Sequence, residues 1–220
     1  MSENSKQKNS IAWYHPAFLI ATWFGSGKIP FAPGTMGSFF TFPLFLASHY
    51  LLAFAHSEES FINLYLTFVA VLFVIGNIAT NIYMKKTGTQ DPGEVVIDEV
   101  VGQILVFFAA FIMIAPSLGV FSNLYEGNSG QMAGMEAVHY LLSNPKFMAV
   151  YIIAAFPVYL VCFVLFRIFD IFKPWPIKYC DQNMKGGFGV MFDDVFAAVY
   201  AILVLYGVIY LVSINIVNSN

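Results

Sequence analysis

Five stretches of this chain are apolar over about the length a bilayer core demands. A helix rises about 1.5 Å per residue, so crossing roughly 30 Å of hydrocarbon takes about 20 mostly apolar residues. Residues 61–84 meet that length most clearly. Residues 36–55 meet it less well, because Pro43 and His49 interrupt them. Residues 95–115 carry Asp98 and Glu99 in their first turns, residues 147–172 carry Arg167 and Asp170 near their end, and residues 190–216 carry Asp193 and Asp194 in their first turn. A backbone inside hydrocarbon must satisfy its own hydrogen bonds, and helices do so. The expected fold class is therefore all-α: a polytopic membrane helical bundle of about five membrane segments. Composition agrees, since 10% of the residues are charged against roughly 25% in a soluble domain.

The remaining chain is read around these segments. Residues 1–10 are polar and read as a disordered tail. Residues 11–24 hold Trp13, Tyr14, His15, Pro16 and Trp23, a density of rings that suits an interfacial helix at the membrane surface. Gly25, Gly27, Pro30, Pro33 and Gly34 make residues 25–35 a shaped loop rather than a helix. Residues 116–145 form a long connection, expected outside the cytoplasm, with a helix near residues 132–142. Residues 11–216 are taken as one membrane-embedded domain, with no cleaved leader.

Several function classes recede at once. A net charge of −3 with no basic patch argues against a nucleic-acid partner. Cys162 lies in an apolar run and Cys180 in a polar one, so no disulfide framework is expected. His15, His49, His56 and His139 show no zinc spacing.

Crossing parity gathers the polar motifs. Counted from the 25–35 loop, segments two and four return to the side where segments three and five begin. The loop, Asp98–Glu99, Arg167–Lys173 and Asp193–Asp194 then share one face. A re-entrant hairpin in place of the first segment would leave the other three together. Nine of the ten basic residues fall on that face and Lys146 opposite, which makes it cytoplasmic by the positive-inside rule.

Those motifs carry the chemistry. Asp91, Glu94, Asp98 and Glu99 crowd into nine positions, and Glu94 and Asp98, four apart, would share a helical face. Acids favour helix starts, which accounts for Asp91 and Glu94. Asp98 and Glu99 stand among valines, where uncompensated carboxylates repel and ask for a cation. Magnesium suits such oxygens. Arg167, Asp170 and Lys173 recur every three residues; they read either as an ion-pair ladder or as a phosphate clamp. Gly186, Gly187 and Gly189 precede Asp193 and Asp194, so open backbone N–H groups near a helix start could hold an anion. Asp193 and Asp194 point about 100° apart on a helix, so one can bind metal while the other caps or holds a cation. Gly27-Lys28-Ile29 is not a P-loop.

Together the motifs resemble the bacterial phosphatidylglycerophosphatase A family. The matching stretches are Gly25-x-Gly27-x-x-Pro30-x-Ala32-Pro33-Gly34-Thr35-x-Gly37-Ser38, Asp91-Pro92 with Asp98-Glu99-x-x-Gly102, Phe166-Arg167-x-Phe169-Asp170-x-x-Lys173-Pro174-x-Pro176-Ile177, and Gly186-Gly187-x-Gly189-Val190-Met191-x-Asp193-Asp194. They occur in the family's order. Departures are the long 116–145 connection and Ala198 in place of a glycine.

The resemblance implies a phosphoric monoester hydrolase of phospholipid biosynthesis. It would remove the terminal phosphate of phosphatidylglycerophosphate with Mg2+, in the bacterial inner membrane, from the cytoplasmic side. Asp98, Glu99, Asp193 and Asp194 are the expected metal ligands. Arg167, Lys173 and Lys28 would neutralise phosphate, and Asp170 would act as a base or orient Arg167. Direct attack by water and a phospho-aspartate intermediate both stay open. The other reading is a transporter or cation channel whose acids line an ion path. Against it, the acids gather at one face and none lies mid-segment. The sequence does not indicate an oligomeric state.

Overall fold

The computed structural model describes residues 11–52, 55, 57–114 and 135–218. The expected 1–10 tail and most of the 116–145 connection lie outside them. The described residues form helices and no strands. In chain order these are α1 (Pro16–Ala21), a 3-10 turn (Ser26–Lys28), α2 (Pro33–Phe39), α3 (Thr41–Leu52), α4 (Glu58–Thr87), α5 (Ile97–Ile114), α6 (Met135–Ser143), α7 (Pro145–Phe172), α8 (Ile177–Asn183) and α9 (Gly186–Asn218).

Four helices, α4, α5, α7 and α9, are long and apolar enough to cross a membrane. Their ends follow from local chemistry. The Ser57 hydroxyl accepts from Ser60 N–H and opens α4, while Gly88 at φ 71° closes it behind Lys85 and Lys86, cations that complement the helix dipole. Asn144 caps α7 by accepting from the N–H groups of Lys146 and Phe147, with Pro145 in the first turn.

The first expected segment is not one continuous helix. It breaks at Phe40 into α2 and α3, and each piece alone is too short to span. Pro43 falls in the first turn of α3, where its missing N–H costs little. The pair still runs beside α5 over most of its depth. Gly37 lies against Val96, Phe45 packs on Phe107 at 5.4 Å between ring centres, and His49 meets Phe111 at 4.4 Å.

The same contacts fix direction. Helix α4 runs opposite to α5: Phe61 meets Phe111 at one end and Gly76 meets Ile97 near the other. Helix α7 returns in that sense too, with Tyr159 on Phe107 and Phe166 on Gly102. Helix α9 starts where α7 finishes. The heads of α5 and α9 and the tail of α7 therefore lie at one end of the bundle, as the parity count requires.

Helix α5 is the axle. Inside the bundle, 61% of its apolar window is enclosed, against 22–28% for the other three. A side chain at Gly102 would strike the Phe166 ring and the backbone carbonyl of Asp194. Only a bare backbone lets α7 and α9 close on α5 at this level. The outward faces stay apolar and exposed, as at Ile153 on α7 and Leu203 on α9, which suits contact with lipid. At the polar end Trp13, Phe24, Phe31 and Trp175 are exposed, as interfacial rings are.

Candidate active site

At the polar end of the bundle a cavity of about 540 Å³ opens between the α2 start, the α4–α5 connection, the α7 end and the α8–α9 region. Its floor is acidic. Asp98 and Glu99 come from the first turn of α5, and Asp194 comes from two turns into α9. One carboxylate oxygen from each lies within 4.8 Å of the others. Asp98 Oδ1, Glu99 Oε2 and Asp194 Oδ2 are buried without a hydrogen-bond partner among the described residues. Buried carboxylate oxygens in that state are costly. Hard oxygen ligands converging without protein donors fit a divalent cation such as magnesium.

Asp193 points elsewhere. Its Oδ2 binds the Lys173 ammonium, and it is not in the three-carboxylate group. Lys173 also holds Asp181 at 2.7 Å. Burial pulls this lysine's pKa down, but the hydrogen bonds it donates to Asp181 and Asp193, with their charges, outweigh it, and the pKa is raised above the usual lysine value. Lys173 does not continue the α7 face. It ends the helix at φ 40° in the left-handed region, so its side chain swings towards α8 and α9.

Arg167 stands over the acidic floor. Its Nη1 lies 2.6 Å from Asp170 and 3.8 Å from Glu99, with about one seventh of the side chain exposed. The same nitrogen donates to Ser38 Oγ at 3.4 Å. A methyl group at Gly34 would overlap Glu99 Oε1 and come within 3.1 Å of Arg167 Nη2. The glycine-rich loop thus needs its bare backbone to press α2 onto these two charges.

Glu94 and Lys28 do not join the floor. Because α5 begins only at Ile97, Glu94 is not one helical turn from Asp98, and the expected shared face is absent. Glu94 binds Lys28 and the Tyr83 hydroxyl instead. Lys28 is not among the residues lining the cavity, whereas Asp91 is. The glycines after α8 also differ from expectation. They form the first turn of α9 rather than precede it, and the Gly187 N–H already donates to Asn81 Oδ1 at 2.9 Å. Asn81, Tyr83, Ser38 and Asp181 are partners that motif reading left without a role. Their signal is tertiary, and only the glycine spacing around Ser38 hints at it.

Backbone strain concentrates here too. Of five non-glycine residues at positive φ among the described residues, Ala32, Asp91 and Lys173 line the cavity. Each such conformation costs roughly 1–3 kcal/mol and tends to gather at functional sites.

Comparison with known proteins adds to the geometry. The family model described as Phosphatidylglycerophosphatase A matches residues 19–209. A Haemophilus influenzae protein named Phosphatidylglycerophosphatase A is 33% identical over 210 residues, covering 96% of this chain and 98% of its own. The Escherichia coli K12 protein of the same name is 30% identical over 199 residues, covering 90% and 87%. A Bacteroides thetaiotaomicron protein named Putative phosphatidylinositol-3-phosphatase is 34% identical over 193 residues, covering 86% and 93%. No solved structure matches the chain.

Proposed function

This chain belongs to the phosphatidylglycerophosphatase A family, and on that premise we propose that it removes the terminal phosphate of phosphatidylglycerophosphate, leaving phosphatidylglycerol. It is then a phosphoric monoester hydrolase of a bacterial inner membrane, with its site on the cytoplasmic side. The side follows from the lysine and arginine bias. The observation that carries the reading is the convergence of Asp98, Glu99 and Asp194 beneath Arg167. A lipid phosphate can reach that cavity while its acyl chains remain in the bilayer.

Each residue then has a task. Asp98, Glu99 and Asp194 would hold a magnesium ion, whose bound form supplies charge neutralisation at the phosphoryl group and activation of water. Arg167 would grip phosphoryl oxygens with its planar fork and stabilise charge that builds on them. Asp170 orients that fork. Lys173 keeps Asp193 and Asp181 together and so ties α7, α8 and α9 around the floor. A carboxylate floor of this kind needs no thiol.

The test is phosphate release by the purified protein in detergent, from phosphatidylglycerophosphate and, side by side, from phosphatidylinositol 3-phosphate. Magnesium-dependent release that prefers the first substrate is expected. Inertness towards phosphatidylglycerophosphate, or a preference for the inositol lipid, overturns the assignment.

A further inference from the structure

Among the described residues three cations line the cavity, and they are not equivalent. Arg167 is engaged by Asp170 and Glu99, and Lys173 by Asp181 and Asp193. Lys185 is exposed and makes no ion pair among the described residues. It stands immediately before α9, nine residues from Asp194, a separation of roughly 13.5 Å along the axis at about 1.5 Å per residue. Seven carboxylates among the described residues line the same space, so an anionic headgroup meets a strongly acidic wall wherever no cation intervenes.

The substrate assigned above carries two phosphates. One is the monoester to be cleaved, and the other is the phosphodiester that joins the headgroup to diacylglycerol. A three-carbon glycerol bridge separates them. With the monoester on the floor by Arg167, the diester lies further out, towards the rim. Lys28 is bound to Glu94 away from the cavity, so it cannot meet the diester there.

We propose that Lys185 receives the retained phosphodiester, and that this contact selects lipids whose headgroup carries a second phosphate. The inference rests on the function proposed above. A lysine suits the task, being a mobile point charge on a flexible stem. The contact is exposed, so salt weakens it, and it forms equally in ground and transition states. It therefore acts on KM rather than kcat.

The test compares the wild type with Lys185→Gln and Lys185→Arg in detergent at low and high salt. Lys185→Gln is expected to raise KM for phosphatidylglycerophosphate about tenfold with kcat retained, and Lys185→Arg to restore most of it. The effect should shrink at high salt. Phosphatidylglycerol keeps the diester and lacks the monoester, so it should inhibit the Gln variant several-fold less than the wild type. Hydrolysis of phosphatidic acid, which has a single phosphate, should change by less than about twofold. Unchanged KM and unchanged product inhibition, or an equal loss on both lipids, overturn the proposal. A wild type inert towards phosphatidylglycerophosphate is a different result, because it defeats the function itself.

Discussion

Asp170 holds Arg167 in place: its Oδ2 lies 2.6 Å from Nη1, one turn further along α7. The pair is mostly buried, and the same guanidinium nitrogen lies 3.8 Å from Glu99. Asp170 thus aims the cation across the gap from α7 to α5. Truncating one member of such a pair leaves the other unbalanced.

Asp170→Asn keeps the shape and removes the charge. It is expected to lower kcat about 10–100-fold, since a misaimed donor loses part of the oxyanion-type stabilisation. Arg167→Lys should fall at least as far, because an ammonium cannot reproduce the fork. Steady-state kinetics of both variants check this. A change confined to KM would assign Arg167 to ground-state binding alone.

The three-carboxylate floor is expected to bind a divalent ion. Asp98→Asn should lower turnover about a thousandfold or more in a protein that elutes as wild type in detergent. Titration calorimetry with magnesium gives a readout independent of activity. Wild-type heats of binding in the Asn variant, or activity that survives exhaustive chelation, would remove the metal from the floor.

Gly34 offers a sharper steric test. A Cβ there would overlap the Glu99 carboxylate and crowd Arg167. Gly34→Ala should cost about a hundredfold in kcat/KM, while the thermal midpoint in detergent shifts by only a few degrees. Near-normal activity would mean that α2 can retreat without consequence.

Cysteine chemistry is not expected. Cys162 is buried in α7 and Cys180 lies in α8, and neither is among the residues lining the cavity. The Cys162→Ala, Cys180→Ala double variant should retain its rate within about twofold. A collapse in rate without unfolding would revive a thiol nucleophile.

That cysteine-free background also reads topology. Thr89 lies beside the cavity end and Ser143 at the far end of α6, and both are exposed. An impermeant thiol reagent should label Ser143→Cys in intact cells, and Thr89→Cys only after permeabilisation. Labelling of both from the same side would contradict a crossing by α5, which lies between the two probes.

The bundle was legible because apolar length is a direct physical signal, and the crowding of valines around Asp98 and Glu99 marked those two acids as costly. Their convergence with Asp194 and Arg167 was reachable by counting crossings. What escaped were competitions settled in three dimensions. Glu94 was expected to share a helical face with Asp98, but α5 starts three residues beyond it, and Lys28 and Tyr83 claim its carboxylate. The Gly187 N–H looked free for an anion, yet Asn81 from α4 takes it. Lys173 fitted a helical ladder until the chain turned left-handed at that residue. None of these contacts is local in sequence, so no pattern of spacing encodes them. The break at Phe40 had a partial signal in Pro43, which weakened the segment without locating the break.

The central position of α5 has a consequence for biogenesis. This helix brings two acids to the membrane surface, but its guanidinium partner belongs to α7, which is synthesised well after it. At about 5–20 residues per second, several seconds separate the emergence of Asp98 from that of Arg167. During that interval the acids cannot sink to their final depth without their counter-charge. Helix α5 must wait at the headgroup level, or under the shelter of the insertion machinery, until α7 arrives. The last step of assembly is then the closing of α7 and α9 around a helix already present, with Gly102 as the notch that lets them shut.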